Sequence, residues 1–181
     1  KIHLEAGKAV RTYPDQASEH FQSLVNEMRF LTAKPVIYAA NVDEAGLAEK
    51  TTWTTTVAAL AAETDSDYVV ISAKLEEEMV AMTVDERDEF LQLAGAEENG
   101  LDQIVRKGFS VLKLISYFTK NENEVRAWHI PQDTTAPQAA GIIHTDFERG
   151  FIRAEVVDFE TFVEHGSDAA LKAAGMLRSE G

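Results

Sequence analysis

Cysteine is absent from this 181-residue chain. Disulfide staples, thiol nucleophiles and zinc–thiolate centres are therefore excluded. Long apolar runs are absent as well. No stretch approaches the roughly 18 residues that span a bilayer, so no membrane partner is expected. The opening residues KIHLEAGKAVRTYPD hold no continuous apolar segment of the kind a secretion signal needs. A cytoplasmic location follows as the expectation. Positive charge is scarce: 17 Lys and Arg face 31 Asp and Glu, a formal charge of −14. So acidic a chain repels phosphate backbones, which disfavours broad nucleic-acid binding and leaves only a local basic patch open. No Gly-, Pro- or Ser-rich linker, internal repeat or low-complexity tract interrupts it. The chain does not begin with Met, and a fragment of a longer protein is the expectation.

What remains is a globular balance, 45% hydrophobic and 27% charged. The composition shifts near residue 112. Residues 1–111 carry a net charge of −10 and residues 112–181 a net of −4. The first segment alternates helix and strand signals. Asp15 is positioned to cap a helix whose stripe is Ala17, Phe21, Leu24, Val25 and Met28. Pro35–Ala40 and Tyr68–Ser72 are short, β-branched apolar runs, the mark of buried parallel strands. The Ala- and Thr-rich stretch Thr51–Glu63 between them reads as a helix. Together they predict a βαβ unit with a right-handed crossover. Thr83 and Glu86 form a capping box for a helix ending near Ala94, with Gly95 as its stop. A second helix is expected from Leu101 to about Ser116. Beyond it, Tyr117–Thr119 and Glu124–Ile130 flank the polar turn Lys120–Asn123 as a hairpin. A short helix over Pro137–Ile143, a strand over Phe151–Phe159 and a helix over Asp168–Leu177 complete the pattern, which suggests a β-grasp, ubiquitin-like arrangement.

The strongest chemical signal is Asn41-Val42-Asp43-Glu44, at the carboxyl end of the first apolar strand. Carboxyl ends of parallel strands are where α/β proteins bind ligands. The second strand ends at the same edge in Ser72-Ala73-Lys74. In P-loop GTPases these two strand ends hold guanine, through Asn-Lys-x-Asp and Ser-Ala-Lys. Here the second motif is intact. The first carries Val42 for the Lys and Glu44 for the Asp. Adenine has no N2 amino group and no N1 proton, so loss of the Asp removes the guanine-specific acceptor pair. Asn41 can still pair with N7 and the exocyclic amine of adenine. The alternative is that Asn41 only caps a strand-to-helix turn and Glu44 faces solvent.

The stretches KPVIYAANVDE, ISAK and EVRAWHIPQDTTAPQAAGIIHTDFERGFIRAEV resemble the YchF/Obg-like ATPase family, the last of them its TGS domain. The resemblance implies an α/β plus α+β chain. Residues 1–111 would be the C-terminal part of a P-loop NTPase parallel sheet with flanking helices and the end of a helical insertion. Residues 112–181 would be a C-terminally incomplete β-grasp TGS domain. It implies ATP, or GTP, with Mg²⁺ in the complete protein, and a link to translation or the ribosome. The base contacts implied are Asn41, Val42, Glu44, Ser72 and Ala73. No Gly-x-x-x-x-Gly-Lys-[Ser/Thr] loop occurs in the chain. No catalytic residue is therefore assigned, and this chain alone is expected to be inactive.

Three further readings stand beside this one. His129, His144 and His165 have spacings that match no compact metal motif, and no metal site is assigned. His144 reads instead as a polar contact orienting its loop. The runs Glu76–Glu78 and Asp85–Glu89 read as solvated helix faces. Trp128 with Arg126, Arg149 and Arg153 could clamp RNA or a ribosomal partner, making the chain a non-catalytic interaction module. The alternative puts Trp128 in the core and pairs the arginines with Glu148 and Glu155.

Overall fold

The computed structural model describes residues 1–96, 98–121 and 123–181. Glu122, placed in the hairpin turn by the sequence, lies outside them. The chain divides into two compact units, Lys1–Leu112 and Lys113–Gly181.

The first unit opens with α1 (Ile2–Glu5) and α2 (Glu19–Met28). Ser18, not Asp15, caps α2: its hydroxyl accepts from the Phe21 N–H at 3.3 Å. Asp15 contributes only its carbonyl, to the Ser18 hydroxyl. β1 (Ile37–Asn41) follows, then α3 (Glu44–Ala48), α4 (Thr52–Glu63) and β2 (Asp67–Ile71). β1 and β2 pair in parallel, from Ile37 opposite Asp67 to Asn41 opposite Ile71. The link between them is α4, capped by reciprocal bonds of Thr51 and Thr54. α4 packs on both strands, and Ala61 and Val69 are almost wholly buried.

Three helices complete this unit: α5 (Ala73–Met79), α6 (Val84–Leu93) and α7 (Gly100–Val111). The Thr83–Glu86 capping box starts α6, and Gly95 stops it at φ +71°. α5 was not legible as a separate helix. It buries Leu75 and Met79, and its Glu76 departs from the solvated reading of the acidic run. The Glu76 carboxylate accepts the Gly100 N–H at 2.7 Å and so caps α7 from 24 residues away. α7 packs on β2 and ends at Val111, short of the expected Ser116. Lys113 turns left-handed at φ +52°. From Leu114 onward the backbone gains more by pairing along a strand than by continuing the helix.

The second unit begins with β3 (Leu114–Lys120) and β4 (Val125–Pro131), antiparallel from Leu114 opposite Pro131 to Lys120 opposite Val125. The Asn121 side chain accepts from the Asn123 and Glu124 N–H groups and shapes the turn. α8 (Ala136–Ile143) packs against β4, and the Tyr117 hydroxyl donates to the Ala139 carbonyl at 2.8 Å. Next come α9 (Thr145–Arg149), β5 (Ala154–Val156), α10 (Phe159–His165), α11 (Asp168–Ala174) and β6 (Arg178–Glu180). The expected strand Phe151–Phe159 shrinks to β5, because only those three residues find a partner, in β6. Phe159, at its expected end, instead opens α10. α11 ends at Ala174 rather than Leu177, since Gly175 adopts φ +68° and frees the chain for β6. β3–β4 and β5–β6 are separate two-stranded sheets, so the described residues do not form the single sheet of a β-grasp. No described helix is long and apolar enough to cross a membrane.

Candidate functional site

The two strand ends singled out in the sequence meet in the first unit. Asn41 is the last residue of β1 and lies opposite Ile71, so the register brings it beside Ser72 and Ala73. The Asn41 Oδ1 accepts the Ala73 N–H at 3.0 Å. The Val42 N–H donates to the Ile71 carbonyl at 2.8 Å, which carries the ladder one residue past the strand. The turn itself is closed by Asp43, whose carboxylate accepts the Gly46 N–H at 3.0 Å and caps α3. Gly46 is needed there: a Cβ would lie 2.8 Å from that of Val42. Glu44 is thereby placed at the first position of α3, exposed.

These ends open on a cleft of about 840 Å³. Asn41, Val42, Glu44 and Ser72 line it; Ala73 does not, but its N–H is held by Asn41. With Oδ1 engaged, the Asn41 NH₂ has no protein partner among the described residues. It can donate to a ring nitrogen such as purine N7, while a second lone pair on Oδ1 can take an exocyclic amine. The lining also includes Lys74, Glu78 and, from α6, Leu93 and Ala94. Lys74 belongs to the second motif; sequence reasoning missed Glu78, Leu93 and Ala94 as parts of the cleft. The only local signal was Gly95, which stops α6 and meets α3: a Cβ on Gly95 would sit 3.2 Å from that of Ala48.

A second cavity, about 550 Å³, lies among β2, α5, α6 and α7. Its charged side chains are already engaged. Lys107 donates to Asp67, Arg106 to Glu98, and Glu76 accepts from Gly100. The Lys107 hydrogen bond holds the Asp67 carboxyl below its ordinary value. The Tyr68 N–H and the Lys107 charge add to this, and partial burial opposes it.

In the second unit the Arg126 guanidinium lies over the Trp128 ring, 5.3 Å from its centre. Both groups are also committed elsewhere. Arg126 donates twice to Glu124, and the Trp128 Nε1–H donates to Thr119 at 2.8 Å. They line a cavity of about 300 Å³, in which Arg149 and Arg153 take no part. Those two arginines make no ion pair among the described residues, and Glu155 pairs instead with Lys172 at 3.7 Å. The histidines do not converge. His129 contacts Ser116, His165 contacts the Thr161 carbonyl, and His144 Nδ1 accepts the Asp146 N–H to cap α9. No described group of His, Asp and Glu could hold a metal ion.

Residues 114–181 match the family model YchF-GTPase_C, described as a protein of unknown function. The ribosome-binding ATPase YchF of Escherichia coli O157:H7 is 44% identical over 178 residues, 98% of this chain and 48% of that protein. The Obg-like ATPase 1 of Homo sapiens is 40% identical over 98% of this chain and 45% of its own length. Similarity to the YchF and Obg-like ATPases thus runs along nearly the whole of this chain. The solved YchF GTPase of Schizosaccharomyces pombe superposes with a TM-score of 0.84 at 32% identity, covering 99% of this chain and 48% of that one. The chain therefore spans about half the length of the YchF relatives it matches.

Proposed function

We propose that this chain carries the base-recognition edge of a ribosome-linked ATPase. The Asn41–Ala73 bond at the mouth of the cleft is the observation that carries the reading. It joins the two strand ends into one wall, and leaves the Asn41 amide to donate to a purine. Val42 and Glu44 stand where a guanine reader would carry Lys and Asp, which tilts the site toward adenine and leaves GTP a weaker ligand. The bound group is ATP. Its phosphates and Mg²⁺ would supply the charge and the hydrolysed bond. This chain's residues fit the base end only, since no phosphate loop is present in residues 1–181. The chain by itself binds and orients the base and does not hydrolyse.

The same reading makes β1, α4 and β2 part of a P-loop NTPase sheet, within a unit ending near residue 111. The β3–β4 hairpin with α8 against it is read as part of a C-terminally incomplete TGS domain over residues 112–181, whose strands stand among the described residues as two separate pairs. A ribosomal partner and a cytoplasmic setting are proposed from relatives named as ribosome-binding ATPases. Nucleotide selectivity tests the assignment. In the protein that joins this chain to a phosphate loop, Val42→Lys with Glu44→Asp should shift preference from ATP toward GTP by about tenfold, the scale of one well-formed buried hydrogen-bond pair. Unchanged selectivity would remove these positions from base recognition.

A further inference from the structure

Of the base-binding motif residues, Val42 alone brings an apolar side chain to the lining of the Asn41 cleft. Asn41 and Glu44 can serve only the polar edge of a heterocycle. Its flat faces are apolar, and binding them from water requires apolar surface. α6 supplies such a surface. Its last residue, Leu93, lines the cleft and is 86% exposed, whereas the adjacent Ala94 is 7% exposed. Leu93 is thus an uncovered leucine on the rim, held by a neighbour that is packed down.

The position of Leu93 is fixed on two sides. The turn after α6 is closed by the Ala96 N–H to the Leu91 carbonyl at 3.0 Å and the Gly95 N–H to the Gln92 carbonyl at 3.2 Å. Gly95, left-handed and without a Cβ, lets that turn meet Ala48 at the end of α3. α3 itself starts at the Asp43 cap inside the motif. The end of α6 is therefore tied to the motif that would read the base edge.

We infer that Leu93 is the ring-face wall of this cleft: the base lies against its methyl groups while Asn41 holds its edge. The inference rests on the reading of the cleft as a base site, and adds α6 as a determinant of affinity. A leucine wall contacts any purine face, so it raises affinity for adenine and guanine alike. Selectivity stays with Val42 and Glu44.

Adenosine, which carries the base and no phosphates, is titrated into the 181-residue chain while leucine methyl and Asn side-chain resonances are followed. Leu93 methyls should move upfield under the ring current and saturate together with the Asn41 NH₂. Leu93→Ala should weaken adenosine about fivefold, and the volume-conserving Leu93→Met should restore most of it. Asn41 signals that saturate while the Leu93 methyls stay still would overturn the wall and leave the base site standing. So would a Leu93→Ala variant that binds adenosine as tightly as the parent. If neither set of signals moves, the base site falls and the wall falls with it.

Discussion

Two substitutions of Asn41 separate its structural bond from its proposed bond to the base. Asn41→Ala removes the acceptor of the Ala73 N–H, a bond of 3.0 Å at an exposed position. Ala73 is the first residue of α5, and the Ser72 side chain does not cap that helix. Among the described residues nothing else takes this N–H. A bond of this kind is worth about 0.5–1.5 kcal/mol, and exposure puts it toward the lower end. Local opening at Ala73 should then become about two- to tenfold more frequent. Asn41→Asp keeps an acceptor and adds a negative charge beside the first turn of α5, which strengthens the bond. An ionised Asp has no proton to give, so it cannot donate to purine N7. Amide exchange at Ala73 should therefore be fastest in Asn41→Ala, and in Asn41→Asp no faster than in the parent. Adenosine affinity should fall about five- to tenfold in both variants. Parental exchange at Ala73 in Asn41→Ala would show that the bond carries no energy. Parental adenosine affinity in Asn41→Asp would show that Asn41 donates nothing to the base.

Three further outcomes follow from the packing. Gly100→Ala would set a Cβ 2.7 Å from the Ile71 side chain and 2.8 Å from the Glu76 carboxylate. It should cost about 1–3 kcal/mol in urea denaturation despite alanine's better helix propensity, and an equally stable variant would refute the close fit. The lowered Asp67 pKa means that its pairing with Lys107 stabilises the fold fully above the ordinary carboxylate value of 3.8, and that this contribution is lost as pH falls through the lower folded value. The stability gap between the parent and Asp67→Asn should accordingly be present at neutral pH and close in acid; a gap that persists below pH 3.8 without narrowing would contradict the assignment. Leu171, with no exposed surface, should cost about 2–5 kcal/mol as Leu171→Ala. Hydrogen exchange of the Trp128 indole should report the loss within the second unit, and an unchanged rate would remove Leu171 from its core.

Elements set by local chemistry were legible. The apolar runs became β1 and β2 with shifts of one or two residues. The helix expected from Thr51 to Glu63 formed as Thr52–Glu63, and the Thr83 capping box opened α6. In each case periodicity and a capping hydroxyl act within a few residues. The ends that were misjudged depend on distant partners. α7 keeps its apolar spacing past Val111, yet Leu114 joins β4. Phe151–Phe159 reads as a strand, but a strand persists only where another pairs with it, and β6 offers three residues. Glu76 looks like its exposed neighbours Glu77 and Glu78 until the Gly100 N–H arrives from 24 positions away.

The sequence by itself determined the motif pair, Asn41–Glu44 and Ser72–Lys74, and its place at the ends of two parallel strands. That follows from hydrophobic runs and turn chemistry, which are local. Tertiary structure alone decided that Asn41 accepts from Ala73 across 32 positions, that Asp43 rather than Asn41 closes the turn, and that Leu93 stands on the rim of the same cleft. Each of those depends on register or on the approach of one helix end to another. Such geometry is fixed by close packing, as where Gly95 leaves room for Ala48, and no spacing along the chain records it.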